Sequence, residues 1–270
     1  MKTLENHTLI YDNECPLCNI YSKGFIKSGM LDESGIEAFT ELNLNNKNLL
    51  DFNRAKNEIA LIDHKQSKVI YGLDSLLLII GNSFPVLEKI VRVKPFYWFF
   101  KKLYSFVSYN RKQIIPSDKD SSEYACVPDF NLKYRLVYIA FVVLFSSSIL
   151  SIFTANLGLN LNQNFGREFM ICLSQIIWQT LFLKLYLKEK LWDYLGNMMT
   201  VSLIGTLLVI PALILNLNII SSIIYFGTVV FIMFWEHIRR CRILKLNLLP
   251  TISWIIFRLT VMIIIIYLKY

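Results

Sequence analysis

Two thiols stand with two residues between them in the stretch "YDNECPLC", Cys15 and Cys18. A CxxC pair suits thiol-disulfide exchange: one thiolate attacks a disulfide to give a mixed disulfide, and the second sulfur resolves it. The same spacing also serves as half of a structural zinc site, which takes four ligands, usually as two pairs. This chain has no second CxxC and no HxxxH, and His7, His64 and His237 are isolated from one another. The redox reading is therefore preferred to zinc, and to an inert coincidence of two cysteines.

Such a pair works only where the chain holds one sulfur as a thiolate. "HTLIYD" (7–12) reads as a short strand, and Pro16 opens a helix that runs to the stop signal at Gly29. Pro16 fits the first helical turn, where its missing N–H costs little. Cys15 is thereby expected at the positive end of the helix dipole, beside free backbone N–H groups that favour a thiolate, with Cys18 one turn inside on the same side. Asp12 and Glu14 act in two ways. Their charge opposes thiolate formation, yet a carboxylate near the pair can relay a proton to or from Cys18.

Further along, "IEAFTEL" (36–42) reads as a second strand and 46–56 as a polar helical stretch. "EIALID" (58–63) and "KVIYG" (68–72), joined by "HKQS", read as an antiparallel hairpin, and 73–81 as a buried helix. The order β-α-β, α, β-β-α is that of an α/β thioredoxin-like domain. The stretch 85–112, rich in aromatics and interleaved with Lys and Arg, is expected to be a helical extension packed on this domain; the other reading is an amphipathic helix in a membrane interface. Residues 1–115 form the first domain in this reading, 116–132 a polar linker, and 133–270 an all-α membrane domain.

"LIYDNECPLC" resembles the DxxCxxC signature of the DCC family of thioredoxin-like thiol-disulfide oxidoreductases, its letters matching Asp12, Cys15 and Cys18. The resemblance continues through "EIALID" and "VIYGLDSLLLIIG", which contains Asp74, to the closing Asn110 and Arg111 of "LYSFVSYNRK", and so covers roughly 7–112. It implies a protein-disulfide oxidoreductase activity carried by Cys15 and Cys18, with Asp12 in support and no cofactor. The sequence departs from the pattern at Asn13, where many members have Gly. Unlike thioredoxins proper, it has no proline before "EIALID", where a cis-proline helps hold peptide substrates.

Mean hydropathy of +0.45 and 54% hydrophobic residues place part of the chain in a membrane. Five spans are expected, at about 136–153, 169–187, 198–217, 219–235 and 248–268. The net charge of +8 divides into 18 basic and 16 acidic residues over 1–135, and 10 basic and 4 acidic over 136–270. The excess therefore flanks apolar segments and does not call for a nucleic-acid partner. Lys133 and Arg135, then Lys184, Lys188 and Lys190, then Arg239, Arg240, Arg242 and Lys245 mark alternate loops, which puts the first domain on the cytoplasmic side of an inner or plasma membrane. The start of the chain lacks the charged and apolar regions of a secretory signal. Trp192, Trp235, Trp254 and Tyr267 read as an interfacial belt. Arg258, deep in the last span, needs a partner, for which Glu236 is the candidate. Cys126 and Cys241 read as unrelated thiols near the membrane surface, and Cys172 as a packed residue.

These features together predict a membrane-tethered oxidoreductase acting on a protein or small-molecule disulfide. The alternative is a membrane-anchored scaffold or binding module that keeps the fold without turnover.

Overall fold

The computed structural model describes residues 2–117, 128–157, 164–215 and 217–268. The chain divides into two compact units, Met1–Tyr134 and Arg135–Tyr270.

The first unit is built on a four-stranded mixed sheet of β1 (His7–Tyr11), β2 (Ile36–Ala38), β3 (Ala60–Asp63) and β4 (Lys68–Tyr71), in the order β2-β1-β3-β4. β1 runs parallel to β2 and antiparallel to β3, which pairs antiparallel with β4. Helix α1 (Pro16–Lys27) makes the crossover from β1 to β2. This is the thioredoxin-like arrangement. Alternation along the central strands explains its two-sided core. Leu9 and Leu61 pack on one face with Leu31, Ile59 and Ile79; Ile10 and Ile62 pack on the other with Phe39, Leu50 and Ala55.

Two elements differ from expectation. β2 ends at Ala38, its partner being Tyr11, because β1 turns away there towards the cysteines and leaves residues 39–42 nothing to pair with. A 3₁₀ turn at Phe39–Glu41 follows. The polar stretch is two helices, α2 (Leu44–Leu49) and α3 (Phe52–Ala55), not one. Each has its own N-cap: Asn43 accepts from the Asn46 N–H and Asp51 from the Arg54 N–H.

In the hairpin turn, the Asp63 carboxylate accepts from the N–H groups of Lys65 and Gln66. Helix α4 (Leu73–Ser83) is entered through Gly72 at φ 68°, ψ −137°. The stretch after it breaks into α5 (Pro85–Val91) and α6 (Lys94–Ile114). The second half of α6 packs on the domain as expected, burying Ser108, Asn110, Arg111 and Gln113, while its first turns are exposed.

The second unit holds α7 (Leu132–Asn156) from Arg135 onward, α8 (Phe165–Leu187), α9 (Leu191–Ile214), α10 (Ile219–Ile243) and α11 (Leu249–Leu268). Four helical runs among the described residues are long and apolar enough to cross a membrane. The second run, Phe165–Ile214, contains two of the five expected spans. It holds α8 and α9 joined through a 3₁₀ turn at Lys188–Lys190, where Lys188 has φ 48°. The two fold back on each other, since the Tyr194 hydroxyl donates to Gln179 Oε1 at 3.1 Å.

Polar pairs tie these helices together. Arg135 meets Asp193 at 3.1 Å, the Tyr138 hydroxyl meets Thr200 Oγ1 at 2.7 Å, and Thr206 Oγ1 donates to Ser146 Oγ at 2.9 Å. Arg239, Arg240 and Arg242 lie in the last turns of α10 and not in a loop. Glu236 is taken by Arg239 and Arg240, both at 2.7 Å, so it is not the partner of Arg258. The Arg258 guanidinium instead lies 5.1 Å from the centroid of the Trp254 ring, over its face. Trp254 is itself buried and stacked on His237, which removes it from the expected belt, whereas Trp235 and Tyr267 are exposed. Cys126 lies outside the described residues.

The backbone at Gly72 is strained for any residue with a Cβ. Gly72→Ala is expected to cost about 1–3 kcal/mol. Amide exchange in the full chain should show β3 and β4 losing roughly tenfold or more of their protection, with the second unit unchanged.

Candidate functional site

The site forms where β1 ends. Asp12 is buried just past the strand, and the turn that follows is closed by its own atoms. The Cys15 N–H donates to the Asp12 carbonyl at 3.2 Å, and the Glu14 N–H to Asp12 Oδ1 at 3.0 Å. Asn19, one turn into α1, donates its side-chain amide back to the carbonyls of Asn13 (2.8 Å) and Cys15 (3.1 Å). Asn13 does not take a positive φ, so the turn has no need of a glycine there. Cys15 is the N-cap of α1, in extended backbone with Pro16 directly behind it, and no side chain occupies its capping position. The Cys15 sulfur thus sits at the helix N-terminus, where the Cys18 N–H helps to hold it as a thiolate.

Cys15 and Cys18 are free thiols, 3% and 2% exposed. Their burial decides the electrostatics, because each charge here is felt through protein and not through water. The Cys18 thiol donates a hydrogen bond to the Cys15 sulfur, which is the main reason that Cys15 falls to about 6 from an ordinary 9.0. Burial works against this, Arg111 assists it, and Asp12 is the acid that opposes it. The same hydrogen bond, with burial, pushes Cys18 strongly upward. The two sulfurs are therefore inequivalent at neutral pH, Cys15 as thiolate and Cys18 as thiol. Asp12 is held above the usual carboxylate range by burial, with Arg111 pulling it back.

Sequence reading found three of the residues gathered here, Asp12, Cys15 and Cys18, and missed several more. Arg111, near the end of α6, places Nη2 3.6 Å from Asp12 Oδ2, and both side chains are buried. It also donates to the Lys56 carbonyl at 3.2 Å. Its only signal was its place in the closing Asn-Arg pair. Tyr21 lies three residues after Cys18, on the same face of α1, and its hydroxyl bonds to the Cys18 sulfur. That spacing could have revealed it. Asp12, Cys18, Tyr21, Glu58 and Arg111 together line a small pocket behind the thiols.

Tyr104 of α6 closes the neighbouring backbone. Its hydroxyl accepts from the Ile59 N–H at 2.8 Å, and burial lifts it to about 12. The Ile59 carbonyl in turn accepts from the Gly72 N–H at 2.8 Å. Both backbone groups of Ile59, just before β3, are thus already engaged. Elsewhere, among the described residues, no group of three or more His, Cys, Asp or Glu side chains is placed to hold a metal ion.

The thiolate absorbance of Cys15 should fall as pH drops through about 6 and stay level above it, because the deprotonated form is the one favoured. Removing the hydrogen bond in Cys18→Ala should carry the midpoint up towards 9.0, further than Arg111→Leu does, since the bond is the larger cause. Equal midpoints in wild type and Cys18→Ala would overturn this account.

Comparison with known proteins gives one match. The chain matches no curated protein and no solved structure. Over residues 9–116 it matches the family model of the DCC1-like thiol-disulfide oxidoreductase, the family that the DxxCxxC stretch resembles, and the match ends before the first membrane-competent helix.

Proposed function

We propose that this chain is a membrane-tethered thiol-disulfide oxidoreductase whose CxxC dithiol works on the cytoplasmic side of an inner or plasma membrane. The observation that carries the proposal is the division of labour between the sulfurs, one lowered to about 6 and its neighbour raised.

The Cys15 thiolate attacks one sulfur of a substrate disulfide. A Cys15–substrate disulfide forms, and the other substrate sulfur leaves as a thiolate that takes a proton from water. Cys18 then loses its proton to Asp12, whose raised affinity and place in the pocket suit it to receive one. The Cys18 sulfur attacks Cys15, the substrate sulfur leaves as a thiolate that takes up the proton from Asp12, and the Cys15–Cys18 disulfide remains. Two electrons have passed to the substrate, and a second thiol donor returns the pair to its reduced form. A reducing cytosol keeps the pair as thiols, which favours reduction or isomerisation of substrates over net oxidation.

The engaged backbone of Ile59 bears on the substrate. A peptide cannot pair with it as an added strand, so recognition falls on the disulfide itself and its near surroundings. The substrate class is a protein or small-molecule disulfide that can reach two nearly buried sulfurs.

Turnover should fall by roughly a thousandfold or more in Cys15→Ser, which loses the nucleophile. Cys18→Ser should instead accumulate a mixed disulfide at Cys15, recoverable by mass spectrometry. A pair that could not be reversibly oxidised would leave the fold acting as a scaffold. Protease placed outside sealed vesicles should cut the 64–67 hairpin turn in inside-out preparations and spare it in right-side-out ones; the reverse pattern would remove the cytoplasmic assignment.

A further inference from the structure

The first turns of α6 and the whole of α5 do not behave like the surface of a water-soluble domain. Leu87, Ile90, Val93, Phe96, Phe99 and Leu103 are each between 43% and 54% exposed, and Trp98 is 66% exposed. Isolated exposed apolar residues are ordinary, but seven of them within residues 87–103 are not. Its charge is as distinctive as its apolarity. Between residues 84 and 103 there are five basic residues and a single acid, Glu88. Glu88 is already paired with Arg92 at 2.8 Å, which leaves Lys89, Lys94, Lys101 and Lys102 facing outward as unbalanced charge.

We infer that this face of α5 and α6 docks on the anionic surface of the bilayer, with its aromatic and aliphatic side chains in the headgroup boundary and its lysines against lipid phosphates. Three observations select this occupant over a protein. The same chain carries four membrane-competent helical runs, so a bilayer is always within reach. The lysines stand among the apolar residues and not apart from them, which matches an interface where acyl chains and phosphates lie within a side chain's length of each other. The aromatics are crowded at one end of α6, where amphipathic rings suit the headgroup level. The inference is independent of turnover at Cys15, because none of these residues touches the dithiol.

The test uses the full chain in nanodiscs, with the photoreactive amino acid benzoylphenylalanine at position 99 and, as control, at Leu44, which is 79% exposed outside the patch. In phosphatidylcholine discs containing about one third phosphatidylglycerol, position 99 should give lipid adducts and position 44 none. The triple variant Lys94→Glu, Lys101→Glu, Lys102→Glu should lower the adduct yield about tenfold or more, as should discs of phosphatidylcholine alone. The thiolate absorbance of Cys15 reports that the variant is folded. Adducts chiefly to residues 135–270, or to a second copy of the chain, would overturn the inference. So would the absence of any adduct, or a lipid yield indifferent to charge.

Discussion

Arg111 and Asp12 meet at 3.6 Å with almost no access to water, and the first unit is organised around that meeting. A guanidinium and a carboxylate taken out of water lose several kcal/mol each in hydration, and only close pairing with further hydrogen bonds restores it. The chain meets this requirement from three directions. The turn after β1 gives Asp12 an N–H from Glu14, the end of α3 gives Arg111 the Lys56 carbonyl, and α6 brings the cation itself. An ion pair of this kind fixes a geometry more than it adds stability. What it fixes is the floor of the pocket on which Cys18 rests.

The chemistry above that floor follows from burial. In water two thiols three residues apart would titrate almost alike. Here each is nearly inaccessible, so one shared proton separates them: Cys18 keeps it, and Cys15 is stabilised as the anion that receives the hydrogen bond. Helix α1 contributes by starting at Pro16, one residue after the sulfur that must carry charge. The order of the motif, acid, then nucleophile at the cap, then thiol one turn in, is thus an electrostatic order.

Much of this was legible in the sequence because it is local. A strand followed by Cys-Pro, a polar four-residue link between two alternating runs, and a glycine after a helix each specify their structure within a few residues. Asp12, Cys15 and Cys18 could be named for the same reason. The pairing of Asp12 with Arg111 crosses most of the domain, and no spacing rule reaches that far. The hydroxyl of Tyr104 on Ile59 was hidden in the same way. β2 was overestimated because residues 39–42 are apolar enough to be a strand, and only the departure of β1 ends it. In the second unit the spans were found by hydropathy, but hydropathy is blind to how a helix end is used. Arg239 and Arg240 read as loop charges, yet they are the helical partners of Glu236. Trp254 read as a belt residue, yet it packs inside on His237.

Helix α6 has one property that its contacts alone do not convey. From Phe96 to Ile114 it contains neither glycine nor proline, so it has no built-in bending point. At 1.5 Å per residue, Phe99 and Arg111 stand about 18 Å apart on one stiff rod. The helix therefore works as a spacer: the same rod that seats the guanidinium beside Asp12 holds its exposed aromatic end at a set distance from the thiol pair.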